Sequence, residues 1–418
     1  MSKGHPMAKP ENNKEKDKER EKAAKKRRRF WDAVQLVLGG WLRNKFSFSF
    51  DKSFEPADID GPVLVAINHA CAYDPLFVGV AFKNKPLTFI ASEHILRGKW
   101  GPFLEKNISF IPHQKGARSS RTALVAMKRM KKGESIFLAV EGEQTWNGRP
   151  LPVMPYTGKL VKGSGATLVT YRLEGAYLSA PRWALNTRKG KVYGRPAGIY
   201  GPEVLKEMTD EEVEQLIAKD LGFDTWEWQK SQTEGPVRYK CSKGGNADGL
   251  ERSVFTCPSC GSFGTLKSQG DSIGCSGGFV IRMTDTGFFE KEAPFETVAD
   301  WEESDRKNLA GRMDDMRRAA GEDVVFTDDG VVLHRIEDGH SDEEAARGKL
   351  ALSFTGEKFI LSIGDYSFDL ENISNMTMVL ANRVVFSDET GYYEFLSDKK
   401  NRTNLRKYVI ARELLLKG

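Results

Sequence analysis

The feature that most constrains the fold is an apolar run that passes through a short polar loop into the start of a helix. Residues 62–68 (PVLVAIN) predict a buried strand, and residues 75–82 (PLFVGVAF) predict a helix that begins at Pro75. Asp74 is a favourable N-cap for that helix, because its side chain can accept a hydrogen bond from the first turn. Residues 50–200 continue to alternate short apolar strands with helical stretches. This alternation predicts an α/β domain.

The loop between this strand and this helix, residues 69–74 (HACAYD), contains a histidine and an aspartate five positions apart. At that separation the carboxylate of Asp74 can hold one ring nitrogen of His69 while the other nitrogen faces a substrate. A histidine held in this way can take a proton from an alcohol at neutral pH. We therefore interpret His69 as a general base and Asp74 as its orienting partner. The alternative interpretation leaves Asp74 as a helix cap only.

Four segments of the chain occur in a fixed order, namely Asn68-His69-x4-Asp74-Pro75, residues 101–112, residues 133–142 and residues 158–175. In content and order they resemble the glycerolipid acyltransferase family, which includes the lysophosphatidic acid acyltransferases. The resemblance covers about residues 30–230 and implies a central mixed sheet flanked by helices. It also implies transfer of a fatty acyl group from acyl-CoA or acyl-ACP to the hydroxyl of a lysophospholipid. The expected acceptor is 1-acylglycerol-3-phosphate, which would give phosphatidate, with His69 as the base.

The chain departs from the family pattern at two places. An arginine usually follows the second segment, where this chain has residues 112–115 (PHQK), and the third segment usually reads Glu-Gly-Thr-Arg, where this chain has residues 141–144 (EGEQ). The two arginines that usually contact phosphate are therefore missing. The cations near enough in sequence to replace them are Lys115, Arg118, Arg121 and Arg149. The departures leave a different lipid acceptor open as an alternative.

Three other residues near the motif, Glu141, Gly142 and Cys71, are further candidates for the site. Glu141 and Gly142 are expected to contact the head group of the acceptor or to shape its pocket. The alternative for Glu141 is a structural hydrogen bond at a strand end. Cys71 lies inside the histidine loop as either a nucleophile or a small packing residue. Packing is favoured, because direct transfer from a thioester to an alcohol needs no nucleophile on the enzyme.

The N-terminal region is strongly basic. Residues 1–30 contain 12 Lys or Arg against 5 Asp or Glu, a net charge of +7, and residues 1–29 are predicted to be a disordered tail. A basic cluster at residues 25–29 then precedes an aromatic and aliphatic helix. Its candidate membrane-facing residues are Trp31, Val34, Leu38, Trp41 and Leu42. This combination predicts an interfacial helix on an anionic membrane. A nucleic-acid-binding arm and a helix that only packs on the domain are the alternatives.

Composition bounds the cellular setting. No stretch reaches the roughly 18 apolar residues that span a bilayer, and residues 1–29 lack the apolar core of a secretory signal. Five cysteines form an odd set, of which three fall in a metal-like pattern, and this favours a reducing compartment. We expect a cytoplasmic protein that is peripheral at the inner face of the membrane. A length of 418 residues accommodates two or three domains.

Residues 236–295 predict a small zinc-ribbon-like β module after the acyltransferase domain at residues 30–235. Cys257-Pro-Ser-Cys260-Gly261 has the spacing of a zinc knuckle, and Cys275 follows at a distance that suits a hairpin. A second knuckle would need a cysteine at position 278, where this chain has glycine. We expect Cys241 to supply the fourth thiolate for one structural zinc. The alternative is a hairpin that has lost its metal and is stabilised by packing.

A zinc ribbon alone would suggest nucleic acid as the partner. Residues 236–295 carry no basic stripe, so nucleic acid is not expected and the module is interpreted as structural. The contrasting hypothesis is a non-catalytic zinc-dependent regulatory or nucleic-acid-binding protein with an inactive acyltransferase-like domain. The presence of both members of the histidine–aspartate pair favours the enzyme.

The C-terminal third is predicted to be rich in β-strands. A linker helix at residues 296–321 leads into residues 322–418, where apolar alternation is broken by turn-forming residues. The predicted turns are at residues 328–330, 355–357 and 388–391, and an amphipathic helix is predicted at residues 401–416. Antiparallel strands followed by a helix resemble the PH-like or GRAM architecture. The ligand of this domain is left open, because no basic lipid-binding loop stands out.

Overall fold

The computed structural model describes residues 29, 31–32, 35–93, 101–113, 120–319, 321–337, 341–397 and 402–416. The predicted basic tail, apart from Arg29, lies outside the described residues, as do Val34, Lys115 and Arg118. The described chain forms an α/β region, a middle region of short strands, and a β-rich C-terminal region.

The α/β region is built on one mixed sheet, as predicted. Its first eight strands in chain order are β1 (Phe48–Phe50), β2 (Val63–Ile67), β3 (Leu87–Ser92), β4 (Phe110–His113), β5 (Ser135–Ala139), β6 (Thr167–Glu174), β7 (Arg188–Lys189) and β8 (Val192–Tyr200). All except β7 form a seven-stranded sheet in the order β1-β8-β6-β2-β5-β3-β4. Strands β6 and β8 are antiparallel, and the other neighbouring pairs are parallel.

Helices cover both faces of this sheet. They are α1 (residues 35–46), α2 (Asp74–Ala81), α3 (Gly101–Asn107), α4 (Ser120–Met130), α5 (Thr157–Ser164), α6 (Ala176–Ser179), α7 (Pro202–Lys206), α8 (Asp210–Leu221) and α9 (Thr225–Lys230). All five residues of β2 are buried, and alternate residues belong to separate hydrophobic clusters on the two faces. Such burial on both sides explains why this strand is apolar throughout. Helix α8 begins with a reciprocal capping box between Thr209 and Glu212.

Helix α1 packs on the domain with part of the surface that the sequence assigned to the membrane. Trp31 is 8% exposed and Leu42 is fully buried, so neither faces outward. A Cβ on Gly79 would lie 2.6 Å from the Trp31 ring, so α2 needs glycine there to admit the indole. Among the predicted residues Trp41 is 41% exposed, and Leu36 and Val37, at 85% and 74% exposure, also face outward. The predicted anchoring face is therefore wrong for Trp31 and Leu42.

The middle region is joined to the α/β region by both strand pairing and packing. Its strands are β9 (Lys240–Cys241), β10 (Lys267–Gln269), β11 (Ser272–Gly274) and β12 (Val280–Arg282). Strand β9 pairs with β7, and β10 to β12 form a three-stranded antiparallel sheet. Its buried residues belong to the same hydrophobic cluster as those of the α/β region.

The C-terminal region is a second seven-stranded sheet. A linking helix, α10 (Val298–Ala319), precedes the strands β13 (Glu322–Glu337), β14 (Ser341–Thr355), β15 (Phe359–Ile363), β16 (Tyr366–Asp369), β17 (Ser374–Val379), β18 (Arg383–Ser387) and β19 (Tyr392–Ser397), and α11 (Arg406–Leu415) follows them. The strands are antiparallel in the order β16-β15-β14-β13-β19-β18-β17. The predicted β-rich composition is confirmed, and the PH-like or GRAM assignment stays a prediction.

One predicted turn in this region is wrong. Residues 328–330 lie inside β13, where the register with β14 shifts between Asp328 and Val331. The Asp-Asp-Gly sequence therefore forms a β-bulge, a feature that uses the same residue types as a turn. The turns predicted at residues 355–357 and 388–391 do separate consecutive strands.

Candidate active site

The histidine loop, residues 69–74, lies between the end of β2 and the start of α2. Nδ1 of His69 is 2.8 Å from Oδ2 of Asp74, and the aspartate side chain is fully buried while that of His69 is 18% exposed. In the described part of the chain, Nε2 of His69 has no hydrogen-bond partner. The arrangement therefore fixes one nitrogen against a carboxylate and leaves the other available to a substrate.

Asp74 also holds the loop closed. Its Oδ2 accepts hydrogen bonds from the backbone N–H groups of Ala70, at 2.7 Å, and Cys71, at 3.0 Å. The interpretation of Asp74 as the N-cap of α2 is wrong, because the helix begins at Asp74 and no side chain caps it. The carboxylate instead faces back into the loop, where three donors converge on one oxygen.

Cys71 is buried beneath the histidine. Its thiol donates to Oδ1 of Asp74 at 3.2 Å. Burial, and then the charge of Asp74, raises the pKa of the Cys71 thiol well above its usual value. Since the thiolate is the nucleophilic form, this environment favours the packing interpretation of Cys71.

Glu141, in the loop after β5, holds the histidine loop from the other side. Its two carboxylate oxygens accept hydrogen bonds from the backbone N–H groups of His69, at 3.1 Å, and Leu151, at 3.3 Å. Burial raises the pKa of Glu141 to about 8, against the lowering effect of these two donors. Gly142 follows with φ of 70°, and a Cβ there would lie 2.6 Å from Sδ of Met154. Both residues shape the site, and contact with the acceptor stays a prediction.

The arginines proposed as replacements are not gathered at the histidine loop. Arg118 lies outside the described residues, and Arg121 is exposed on α4. Arg149 is engaged elsewhere, with its guanidinium 2.9 Å from Asp300, 3.4 Å from Glu303 and 3.7 Å from Asp224. Among the described contacts, neither Arg121 nor Arg149 touches residues 69–74.

The two residues that replace Thr-Arg in the third segment, Glu143 and Gln144, have a role that no sequence pattern predicted. The guanidinium of Arg182 lies 3.4 Å from both Oε2 of Glu143 and the carbonyl oxygen of Gln144. The same guanidinium donates at 2.8 Å to the carbonyl oxygens of Met378 and Leu380, at the end of β17. This loop therefore contacts the C-terminal sheet. The unusual residues at positions 143–144 were the available signal.

Trp146 strengthens the same junction. The guanidinium carbons of Arg182 and Arg406 lie 4.6 Å and 4.9 Å from the centre of its indole ring. Such cation–π contacts are worth about 0.5–2 kcal/mol each, with the larger values at buried sites. The C-terminal region is thereby fixed beside the loop that follows β5.

Three of the four predicted zinc-binding thiols lie together. The sulfur atoms of Cys257, Cys260 and Cys275 are all within 4.8 Å of one another, and Sγ of Cys257 is 3.3 Å from Sγ of Cys275. A tetrahedral zinc with sulfur at about 2.3 Å requires sulfur separations of about 3.8 Å, so the three thiols suit this ion. Hydrogen bonds from Ser262 lower the pKa of Cys260 to about 7, which favours the ligating thiolate.

Cys241 does not join this group. It lies on β9, and its thiol is 3.5 Å from the carbonyl oxygen of Gly245. Burial raises the pKa of its thiol. The structure therefore places three sulfur ligands together and leaves the fourth position of a tetrahedral ion without the predicted thiolate.

Comparison with known proteins bears on the α/β region. Residues 48–174 match the family model Acyltransferase, a segment that runs from β1 to the end of β6 and includes His69, Asp74 and Glu141. The crystal structure of the 1-acyl-sn-glycerophosphate (LPA) acyltransferase PlsC from Thermotoga maritima is similar, with 17% sequence identity and a TM-score of 0.41. That similarity covers 52% of this chain and 83% of the PlsC chain. No curated protein matches the chain.

Proposed function

We propose that the protein is an O-acyltransferase that moves a fatty acyl group from acyl-CoA or acyl-ACP to the hydroxyl of a lysophospholipid. The first candidate acceptor is 1-acylglycerol-3-phosphate, which would give phosphatidate. The observation that carries the proposal is the 2.8 Å contact between His69 and the buried Asp74. It lies within the segment that matches the Acyltransferase family model.

In this mechanism the histidine acts as a general base. Asp74 accepts a hydrogen bond from Nδ1–H of His69, which leaves the lone pair of Nε2 for the acceptor hydroxyl. Nε2 takes the hydroxyl proton as the oxygen attacks the thioester carbonyl, and the neighbouring carboxylate stabilises the imidazolium that forms. When the tetrahedral intermediate collapses, the carbon–sulfur bond breaks and Nε2 returns the proton to the departing thiolate. The products are an ester and a free thiol.

Direct transfer is favoured over a covalent acyl-enzyme. Cys71 is the one thiol within residues 69–74, and it is buried with its hydrogen directed to Asp74. Glu141 acts as a positioning residue, since its carboxylate accepts from the backbone N–H of His69. This hydrogen bond fixes the position of the His69 imidazole relative to the loop after β5.

The proposed location is the inner face of an anionic membrane. Among the described residues, no helix is both long and apolar enough to cross a bilayer. Helix α1 nevertheless presents Leu36, Val37 and Trp41 to solvent, and the basic cluster at residues 25–29 precedes it in sequence. Apolar side chains beside clustered cations suit a peripheral contact with lipid.

We also propose that one zinc ion is held by Cys257, Cys260 and Cys275. When bound, the ion would cross-link the turn at Cys257–Gly261 to the hairpin that follows β11. This role is structural, and it is supported by the sulfur distances and by the low pKa of Cys260. The PH-like or GRAM assignment for residues 322–418 is likewise a proposal, supported by seven antiparallel strands followed by α11.

The test is thiol release by the purified full-length protein in detergent. Palmitoyl-CoA and palmitoyl-ACP are each offered with lysophosphatidate, with lysophosphatidylcholine, and with no acceptor. The proposal requires thiol release that depends on an acceptor, and preference for lysophosphatidate identifies the first candidate. A preference for lysophosphatidylcholine would move the acceptor to another lysolipid. Absence of acceptor-dependent release with every pair would overturn the proposed function.

A further inference from the structure

A cavity of about 440 Å³ beside the histidine loop has a strongly cationic lining. Three of its lining residues are lysines, namely Lys45, Lys189 and Lys240. The rest of the lining consists of Trp41 and the neutral polar side chains of Asn44, Thr187 and Ser242. None of the described residues that line it is acidic. A site with cations, neutral donors and one aromatic ring has the composition expected for an anionic organic ligand.

Two of these lysines face each other across a strand pair. Lys189 on β7 and Lys240 on β9 are direct partners in an antiparallel register. Like charges in directly opposite positions destabilise a sheet. Among the described residues, no carboxylate pairs with either lysine, nor with Lys45. A bound anion would relieve this repulsion.

The third lysine connects the cavity to the candidate active site. The ammonium of Lys45 lies 5.1 Å, 5.4 Å and 5.5 Å from the ring centres of Trp41, Phe46 and Tyr73. These cation–π contacts hold its charge in place. Tyr73 belongs to the histidine loop and immediately precedes Asp74. Lys45 therefore lines the cavity and contacts the segment that carries the proposed base.

Sheet topology places the cavity and His69 at one edge. The lining residues of α1 precede β1, and those around Lys189 precede β8. Strand β8 is antiparallel to β6, with Tyr193 paired to Glu174 at the end of β6, while β6 runs parallel to β2. The starts of β1 and β8 therefore lie at the edge where β2 and β5 end. His69 and Glu141 follow those two strands.

We propose that this cavity binds the phosphate of the lysophospholipid acceptor. The inference rests on the proposed acyltransferase function and supplies the cations that the sequence lacks at the usual arginine positions. Arg149 is paired with carboxylates, and residues 143–144, which stand where the family has Thr-Arg, contact Arg182. In the described contacts, neither place therefore offers a free cation to the phosphate. Lys189 and Lys240 would bracket the phosphate, with Lys45 as a third charge.

An amphiphilic ligand fits this position better than a water-soluble phosphate. Val37 and Trp41 lie one helical turn apart, and Trp41 is both exposed and part of the cavity wall. Leu36 lies beside Val37 on the exposed side of α1. An acyl chain can follow this apolar surface while its phosphate occupies the cationic cavity.

The test measures binding directly, so that it does not depend on turnover. Calorimetric titration uses 1-hexanoylglycerol-3-phosphate, a short-chain lysophosphatidate, on the full chain and on Lys189→Gln/Lys240→Gln. We expect the double variant to bind about tenfold or more weakly, because two charge-assisted contacts are lost. The matched control is Lys191→Gln, which removes an exposed lysine of the same segment outside the lining and should bind as the wild type does.

Three comparison ligands identify the source of the phosphate. Hexanoylglycerol, which lacks phosphate, should bind weakly to the wild type and equally to the double variant. A selective loss of coenzyme A affinity in the double variant would assign the cavity to the acyl donor and overturn the inference. Inorganic phosphate binding as tightly as the lipid would overturn it too. Both lysines are exposed, and removing their repulsion should leave Tm equal or higher, which checks the fold.

Kinetics separate this inference from the proposed function. In an active wild type, the double variant should raise KM for lysophosphatidate about tenfold and leave KM for the acyl donor unchanged. If the wild type is active and the double variant has the same KM for lysophosphatidate, the cavity assignment is overturned and the proposed reaction is not. If lipid binding depends on the phosphate and on Lys189 and Lys240 but no thiol is released, the proposed reaction is overturned and the cavity assignment is supported.

Discussion

Two loops meet at His69. One is held by contacts within itself, and the other is held by contacts with residues far along the chain. The histidine loop, residues 69–74, closes on itself, because Asp74 accepts from His69, Ala70 and Cys71. The loop after β5, residues 141–144, is held by partners far along the chain, since Arg182 contacts Glu143 and donates to the carbonyl oxygen of Leu380. A loop closed by its own residues can be recognised from its sequence, whereas one held by distant partners cannot.

The largest expected effect lies within the histidine loop. Asp74→Asn should lower kcat about 10²-fold or more, because it removes the negative charge that supports the imidazolium and adds an amide donor against the loop N–H groups. The measurement is steady-state thiol release at saturating substrates. Cys71→Ala is the control, since it removes another ligand of Asp74 but leaves the carboxylate, and it should retain most turnover. Equal losses in the two variants would mean that Asp74 only closes the loop.

The cysteine group gives the same contrast between near and distant partners. Cys257 and Cys260 share one turn. Cys241, predicted as the fourth zinc ligand although it is farther away in sequence, lies apart from them. Metal analysis of the purified protein should find about one zinc per chain. Cys257→Ser should abolish it, and Cys241→Ser should leave it unchanged. Loss of zinc in Cys241→Ser would show that the fourth ligand is the thiol first predicted from the sequence.

A smaller effect is expected where the distant partners meet. Arg182→Ala should lower the free energy of unfolding by about 2–3 kcal/mol, because it strands two carbonyl oxygens at the end of β17 and the carboxylate of Glu143. The matched control is Arg195→Ala, which breaks an ion pair with Glu174 in which the arginine is 38% exposed, and it should cost less than about 1 kcal/mol. Thermal unfolding followed by calorimetry compares them. Equal effects would mean that the junction contributes no more than a surface ion pair.

The parts of the fold that followed from the sequence are those with local causes. The strand at residues 62–68 and the helix after Asp74 both depend on neighbours within a few positions. Even in these segments, the type of a side chain did not always predict its role. Asp74 has the right side chain for a helix cap, but donors on its other side bind the carboxylate.

The parts that did not follow depend on partners that no local pattern reveals. Trp31 has the amphipathic context of a membrane anchor, but glycine at position 79 creates the space that buries it. Arg149 is close in sequence to the third family segment, but Asp300 lies 2.9 Å from its guanidinium. Lys189 and Lys240 are ordinary exposed lysines until β7 and β9 pair. In each case a residue far along the chain decides the role.

The measurement that tests the central claim most directly is turnover by His69→Ala. In the variant the backbone N–H groups of Ala70 and Cys71 still donate to Asp74, so the loop should stay closed and Tm should stay within a few degrees of the wild type. The account predicts that acceptor-dependent thiol release falls by about 10²-fold or more, in line with the loss of a general base. Turnover within a few-fold of wild type, in a variant with unchanged circular dichroism, would contradict it.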